Sequence, residues 1–370
     1  MNPNSVKYIK SFSYVIILIV TYAIAASQAL QSFSYKWTTI AIDKQYPLNK
    51  VFDGDVPKPY AVRVLVPTLI NHLHGAVPAI VSIPITERSR RLLESVIGAQ
   101  ESAMISDTVA LKYGILIALN FSFLLATLFI LRALTKQAIG SSTTSRILMD
   151  GSPLCFALFL TISYRAYNGF WYDHAELLLY TLYLFLVIGR FRAASLFVLA
   201  VSVFNKETAI LFPVIVFFAL YKDELIRRDL AVYSNIILHA SIAAIAFVSV
   251  RYTLEVQNGV AAEFHLLGNL SFWFSLNPWL SVTTPHVALI PLPKPSNILL
   301  LLPMLAVFFS YWNVKPNLIK NGLAISLTIS LPLFLAFCYR DEFRNLSLAF
   351  PFLFLSAVNT AANFYKIHPQ

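Results

Sequence analysis

The stretch VSVFNKETAILF, Val201–Phe212, sets Lys206 beside Glu207 inside an apolar run. Its reading decides how often the chain crosses a membrane. If the run breaks at Asn205–Thr208, segments 193–205 and 208–221 are two thin spans or a re-entrant hairpin. If it does not, they form one long tilted helix, and everything downstream changes sides. The two charges are either a helix–helix turn that happens to be charged or part of a polar site at a membrane face. Charge held at membrane depth is costly, and it faces a cavity, a partner or a pathway.

The rest of the chain sets the context for that choice. Of 370 residues, 58% are hydrophobic and 12% charged, with a mean hydropathy of +0.68. Soluble domains carry about 25% charge, so too little polar surface remains here to cover a water-facing globule. Ten apolar segments can be marked, at about 12–31, 108–132, 151–166, 174–189, 193–205, 208–221, 230–250, 297–312, 322–338 and 346–362. Backbone groups in lipid must be bonded within their own segment, which favours helices. The short alternating strands of a barrel are not seen. The expectation is an all-α polytopic bundle of about ten spans, one transmembrane domain over 1–370. The first apolar stretch follows Lys7 and Lys10 and reads as a signal anchor. Cys155 and Cys338 fall in apolar runs and read as buried thiols. There is no visible repeat, Walker motif or dinucleotide glycine motif.

The net charge of +10 argues for membrane lipids and topology rather than nucleic acid. With ten spans and a cytoplasmic N-terminus, every inner segment is basic: Lys7/Lys10, Arg132/Lys136/Arg146, Arg190/Arg192, Lys222/Arg227/Arg228, Lys315/Lys320 and Lys366. The mixed polar clusters then all fall outside: VFDGDVPKPYAVRVLVP (51–67), YNGFWYDHAE (167–176), FNKET (204–208) and CYRDEFRN (338–345). Four such clusters on one face predict a shared, water-accessible cleft. Two long outer loops complete the expectation, 32–107 and 251–296. In the first, ITERSRRLLESVIGAQ (85–100) puts Leu92, Leu93, Val96 and Ile97 at helical spacing and predicts an amphipathic helix lying on the membrane surface. In the second, Trp273 and Trp279 suit the interfacial aromatic belt.

Asp53–Gly54–Asp55 is the most informative acidic pair. It can bind a divalent cation, leave one carboxylate as a general base, or simply form an Asx-type turn before the prolines. Arg63, among apolar neighbours, either snorkels or meets an anion such as phosphate. Tyr172, Asp173 and His174, with Glu176, open the fourth apolar segment, where an aspartate also serves as a helix cap. Lys206 and Glu207 pair with each other, or with Asp173 and Arg340 across the bundle. Arg340, Asp341, Glu342 and Arg344 lie between two apolar segments. Two arginines one turn apart on a helix can clamp a phosphate or diphosphate; the plainer reading is a solvated cap cluster. His72 and His74 are two residues apart, which does not suit one helical face, and read as loop or interface residues. His239, His265 and His286 carry little weight.

The stretch DGD followed by PYAVRVLVP is similar to the first-loop acidic motif of the GT-C class of integral membrane glycosyltransferases, where it leads into a membrane-surface helix. YDHAELLLYTLYLFLV followed by FNKETAILF resembles the middle of bacterial polyprenyl-phosphate-sugar-dependent transferases of that class. The resemblance is architectural along most of the chain and motif-specific only at these stretches. The acidic motif here lies some way into the loop instead of directly after the first span. The resemblance implies an inner (plasma) membrane enzyme of the cell envelope. A lipid-linked sugar donor would enter from the bilayer, and a glycan, lipid or protein acceptor from the extracytoplasmic side. Asp53 or Asp55 would act as general base in an inverting transfer. Arg63, Lys206, Arg340 and Arg344 would hold the phosphate, supported by Tyr172, Asp173, Glu207, Asp341 and Glu342. A divalent cation at Asp53 and Asp55 is compatible with this scheme but not required by it. The rival expectations are a transporter or flippase for a lipid-linked or anionic substrate, and a multi-span polysaccharide polymerase.

Overall fold

The computed structural model describes residues 3–40, 47–56, 60–139, 146–164, 169–253, 263–283 and 292–367. Its α-helices are, in order, α1 (Pro3–Ile40), α2 (Leu48–Asp53), α3 (Leu65–Ala76), α4 (Ala79–Ile97), α5 (Ala99–Ala103), α6 (Asp107–Ile139), α7 (Arg146–Ser163) and α8 (Asp173–Ile188). There follow α9 (Arg192–Asn205), α10 (Phe212–Ile226), α11 (Leu230–Thr253), α12 (Leu266–Trp273), α13 (Asn277–Leu280), α14 (Ile298–Phe309), α15 (Asn317–Phe337) and α16 (Phe350–Ile367). The one extended pairing among the described residues is a two-residue antiparallel ladder, Val282–Thr283 against Leu292–Pro293.

All ten apolar segments read from the sequence are helical, as α1, α6 to α11 and α14 to α16. Six described stretches are long and apolar enough to cross a membrane: Phe12–Gln31, Asp107–Gln137, Arg146–Ser163, Leu230–Thr253, Asn317–Phe337 and Phe343–Tyr365. The architecture is that of an all-α integral membrane protein. Four of the ten are shorter: α8 has 16 residues, α9 has 14, α10 has 15 and α14 has 12. Apolar side chains exposed along α1, α11 and α14, such as Ile17, Ile24, Ile237, Ile245, Leu299 and Leu302, form the surface that lipid would cover.

The run 193–221 is two helices. Lys206 has extended backbone (φ −159°, ψ 137°), which ends α9, and a 3-10 turn over Glu207–Leu211 leads into α10. Contacts give the direction of each. Asn205, at the end of α9, donates to the Tyr172 carbonyl at the start of α8, so α9 runs antiparallel to α8. Phe212, at the start of α10, meets Tyr180 and Tyr183 farther down α8, and Phe217 then meets His239 beside Tyr183. So α10 runs parallel to α8, and the chain turns back at Lys206–Leu211.

The core is organised on α6, which packs against α1, α3, α4, α7, α8 and α16. α8 carries the packing onward to α9 and α10, and α10 meets α15 and α11. The linker between α14 and α15 is tied to α16 by Lys315, whose Nζ donates to the Ser356 carbonyl (3.0 Å) and to Thr360 Oγ1 (2.7 Å).

Several local expectations change. The surface helix is α4, and it docks on the bundle: Ser89 and Leu93 are buried, and α4 packs against α6 and α1. Arg90 donates to the carbonyls of Ser102 and Ile105 and pairs with Asp107, which fastens the helix to the start of α6. The helix thus docks along Ser89 and Leu93, while Ile80, Val81, Ile83 and Leu92 stay exposed on its other side. His72 and His74 lie in helix α3, not in a loop. Cys155 is exposed on α7, and Cys338 is half-buried. Trp273 packs on Trp279, Phe334 and Phe343, so it belongs to a local aromatic cluster. His286 and parts of the 51–67, 167–176 and 251–296 segments lie outside the described residues.

Gly322 marks the closest approach of α15 to α16, because a Cβ there would overlap the Phe352 ring. Overpacking of this kind costs roughly 1–3 kcal/mol. Gly322→Ala is therefore expected to lower the thermal unfolding midpoint of the purified protein, and Phe352→Leu in the same chain to recover part of the loss.

Candidate functional site

The site is built where α8 begins. Phe170 and Tyr172 precede the helix with their rings stacked, 5.6 Å apart at 5°. Tyr60 stacks on Phe170 at 5.2 Å. The backbone N–H of Phe170 donates to Asp173 Oδ2 (2.7 Å), which folds the approaching chain back onto the helix start. Trp37 of α1 holds that approach from the other side, its Nε1 donating to the Gly169 carbonyl (2.9 Å).

Four cations converge on the stacked rings. Lys36 Nζ lies 3.9 Å and the Arg344 guanidinium 4.4 Å from the Phe170 ring centre. The Arg63 guanidinium lies 4.3 Å and Lys206 Nζ 5.4 Å from that of Tyr172. Cations over aromatic faces are favoured most where water is excluded.

Each of three cations is also ion-paired. Arg344 donates through Nη1 to Asp173 Oδ2 (2.7 Å) and through Nη2 to Glu342 Oε1 (3.1 Å). Lys206 Nζ donates to Glu176 Oε2 (2.8 Å) and stands 3.7 Å from Asp173 Oδ1. Arg63 engages Glu207 with both Nε and Nη2, a two-pronged pair. Glu176 also accepts from Thr208 Oγ1 (2.6 Å) and Ser347 Oγ (3.0 Å). Arg63, Asp173, Glu176, Lys206 and Arg344 are all buried. The extended backbone at Lys206 breaks α9 where its side chain joins Glu176, and Arg344 arrives on the 3-10 turn Phe343–Ala349. Some buried polar atoms keep unused bonding capacity: Asp173 Oδ1, Arg344 Nε, Asn205 Oδ1, Asp341 Oδ1 and Trp171 Nε1 make no hydrogen bond.

Lys36 and Glu207, both outside the membrane-crossing stretches, have shifted proton affinities. Burial, then the nearby Arg344 charge, brings the Lys36 ammonium down to about 7. Burial would raise the Glu207 carboxyl, but the charge and hydrogen bonds of Arg63 outweigh it and hold Glu207 below the usual glutamate range.

Of the residues singled out in the sequence, Arg63, Tyr172, Asp173, Lys206, Glu207, Glu342 and Arg344 meet here. Lys206 pairs with Glu176 and Asp173 rather than with Glu207, and Arg344 rather than Arg340 reaches Asp173. Arg340 is exposed, its backbone in the left-handed region (φ 50°) and its guanidinium near Tyr339 and Phe272. The two arginines therefore do not share a helical face and do not form a clamp. Asp341 is buried beside them and accepts from Ser296 Oγ (3.2 Å).

Asp53 and Asp55 stand apart from the buried network. Asp53 pairs with Lys112 (3.3 Å) and is 62% exposed; Asp55 pairs with Lys50 (3.8 Å) and is 79% exposed. Gly54, at φ 76°, caps α2 through its N–H to Val51, so the acidic pair is held on a turn. No group of three or more His, Cys, Asp or Glu side chains among the described residues is placed to hold a metal ion.

α6 supplies a ruler for depth. Residues 113–131, between Lys112 and Arg132, carry no charge, and at 1.5 Å per residue the two ends are roughly 30 Å apart, one hydrocarbon core. Asn120 of α6 bonds His174, next to Asp173, at 2.8 Å. Tyr113, next to Lys112, bonds Thr38 Oγ1 (2.6 Å) and the Ser34 carbonyl (3.2 Å), on either side of Lys36, so the site spans the α6 levels from Tyr113 to Asn120, its inner limit roughly 12 Å from Lys112 and roughly 18 Å from Arg132. The sequence reading missed Lys36, although it is the first charge after the uncharged run 11–35. That position had been read as the start of a loop, and α1 continues through it to Ile40.

Comparison with protein-family models, with curated proteins and with solved structures finds no match.

Removing one partner of a buried ion pair costs about 3–5 kcal/mol, because the other charge is left unpaired. Arg344→Leu alone and Asp173→Leu alone are each expected to lower the thermal midpoint sharply, and the double variant to lose less than the sum. For Glu207 the sign follows from its lowered proton affinity. Its stabilisation is present above the ordinary value of 4.5 and is lost as pH falls through the folded value beneath it. Thermal midpoints measured from pH 6 to pH 3 should therefore fall less steeply for Glu207→Gln than for the natural chain.

Proposed function

We propose that the protein is a GT-C-type membrane glycosyltransferase of about ten spans, in the plasma membrane with a cytoplasmic N-terminus. In this reading it transfers a sugar from a polyprenyl-phosphate donor to an acceptor on the extracytoplasmic side, with inversion. The observation that supports it is the convergence of Lys36, Arg63, Lys206 and Arg344 on the Phe170–Tyr172 stack at one end of an apolar bundle. A departing lipid phosphate needs fixed positive charge where its own negative charge develops. The donor's hydrocarbon chain needs an apolar flank, which the exposed side chains of the bundle supply.

In this reading the residues take the following roles. Arg63 is the cation freed at least cost, because its partner Glu207 is 28% exposed and can be rehydrated when phosphate displaces it. Lys36, with an ordinary ammonium brought down to about 7, gains full charge when an anion arrives beside it. Lys206 and Arg344 complete the cradle, oriented by Asp173, Glu176 and Glu342. Arg340, exposed at the rim, meets the phosphate on its way in. Tyr172 gives the face on which the cations gather, and Asp341 supports the same wall. Asp53 or Asp55 is the base that deprotonates the acceptor hydroxyl. A base must come within hydrogen-bond reach of that hydroxyl, so the acceptor would sit between the α2 turn and the cations. A divalent cation at Asp53 and Asp55 remains optional in this scheme.

The test is incubation of the purified protein with a panel of labelled polyprenyl-phosphate sugars and candidate acceptors. Turnover is expected, and Asp53→Asn with Asp55→Asn is expected to reduce it by roughly 10²–10⁴-fold while membrane insertion is unchanged. Full activity in the single and double variants would remove these two residues as the base and turn attention to Asp341, whose Oδ1 has no partner. The inner limit of the site, at Asn120 within the uncharged run of α6, favours a second reading, transport or flipping of a lipid-linked or anionic substrate. Protein-dependent movement of labelled substrate across vesicles, without turnover, would select it.

A further inference from the structure

The far end of the bundle holds a second charged feature that the site above does not use. A cavity of about 760 Å³ opens between α6, α7 and α8, lined by Arg132, Lys136, Gln137, Arg146, Met149 and Phe185. Three cations stand in its wall. The one carboxylate paired with them among the described residues is Asp150, which accepts from Arg132 Nε (2.6 Å) and from the Tyr14 hydroxyl, and lies 4.0 Å from Arg146 Nε. Arg132 Nη2 is held by Tyr14 Oη (2.9 Å), and the Arg146 guanidinium lies over the Tyr14 ring at 3.9 Å. These contacts fix the two arginines at the opening, and among the described residues Arg132 Nη1 and most Arg146 N–H groups have no acceptor. Lys136 has no ion pair among the described residues. The balance differs from that of the recessed network, where four cations meet at least as many carboxylates.

We propose that this cavity binds a phosphate-bearing group, with Lys136, Arg146 and Arg132 donating to the phosphate oxygens and Met149 and Phe185 packing against what the phosphate is attached to. Fixed guanidinium groups match phosphate geometry, and a surplus of positive charge without a carboxylate for each cation makes an anion the missing partner. The location supports this chemistry. Arg132 ends the uncharged run of α6, so the cavity lies roughly 30 Å from Lys112, at the opposite hydrocarbon boundary, where phospholipid headgroups sit. Basic pockets between membrane helices are suited to anionic headgroups. A soluble phosphate ester carries the same group, and the experiment separates the two sources.

Native mass spectrometry of the full-length protein in detergent, titrated with phosphatidylglycerol and in parallel with phosphatidylcholine, is the test. The natural chain should retain phosphatidylglycerol in preference to phosphatidylcholine. Lys136→Gln with Arg146→Gln should weaken that retention at least about tenfold, given roughly 1 kcal/mol per basic residue near an anionic headgroup. The control is Arg227→Gln with Arg228→Gln, which removes the same charge at the α10–α11 turn, on the same end of the bundle. Its retention should stay near that of the natural chain. Displacement of the lipid by sn-glycerol 3-phosphate at equal concentration would support the phosphate site and assign it a soluble ligand. Failure of that displacement, with the loss in the Lys136/Arg146 variant, would support a lipid headgroup. Equal loss in both double variants, or no loss in either, would overturn the proposal. If the double variant does not fold, Lys136→Gln alone carries the test, because its side chain is exposed and makes no ion pair among the described residues.

Discussion

The arrangement depends on the ion pairs that join Asp173 to Arg344 and Lys206. Ions taken out of water lose several kcal/mol of hydration each, and only close opposite charge with further hydrogen bonds restores it. Asp173, Lys206 and Arg344 lie far apart in the chain, so none can be buried until the other two are in place. That requirement brings the start of α8, the break after α9 and the turn before α16 to one level. It also accounts for the extended backbone at Lys206. A continuous helix through 193–221 would carry the Lys206 ammonium into an apolar run without Glu176 or Asp173 beside it.

The two ends of the bundle use charge differently. At the recessed network Asp173 and Glu176 each have a cation and further donors, and the aromatic stack carries part of the load through Phe170 and Tyr172. At the other end Arg132, Lys136 and Arg146 share Asp150. Between them α6 runs from Lys112 to Arg132 without a charge, and its length fixes their separation. The asymmetry has a consequence for solvation. The balanced end can be buried in protein, whereas the cationic end is stable only where water or an anion reaches it.

The elements were legible in the sequence because each is a run of apolar residues bounded by charge, turn residues or proline, and membrane helices need little more. The sequence left the break at Asn205–Thr208 open: Lys206 and Glu207 interrupt the run, but a single long tilted helix could also carry them. What could not be read was the pairing. Lys206 and Glu207 are adjacent, yet their side chains diverge because the backbone is extended at one and 3-10 at the next, sending one to Glu176 and the other to Arg63. Arg340 and Arg344 are one helical turn apart in sequence, but the backbone at Arg340 is left-handed and the helical spacing does not apply. Rotation about the helix axis is equally hidden in segments that are apolar all round, which is why Cys155 faces outward. Lys36 escaped notice because a charge at the end of an apolar run looks like the beginning of a loop.

The charge balance of the recess limits how any anion could occupy it. Lys36, Arg63, Lys206 and Arg344 are matched by Asp173, Glu176, Glu207 and Glu342, with Asp341 close by. An arriving negative group must therefore displace a carboxylate, bring a proton or add a cation. Displacing Asp173 or Glu176 would strand a carboxylate in a dry interior, at a cost of several kcal/mol. Displacing Glu207 strands nothing, since its side chain already reaches water. Recharging Lys36 adds a cation without moving any side chain out of the interior. Both inexpensive routes lie on the side of Arg63 and the Phe170–Tyr172 stack, so an anion would meet least resistance there, with Asp173, Glu176, Lys206 and Arg344 left paired.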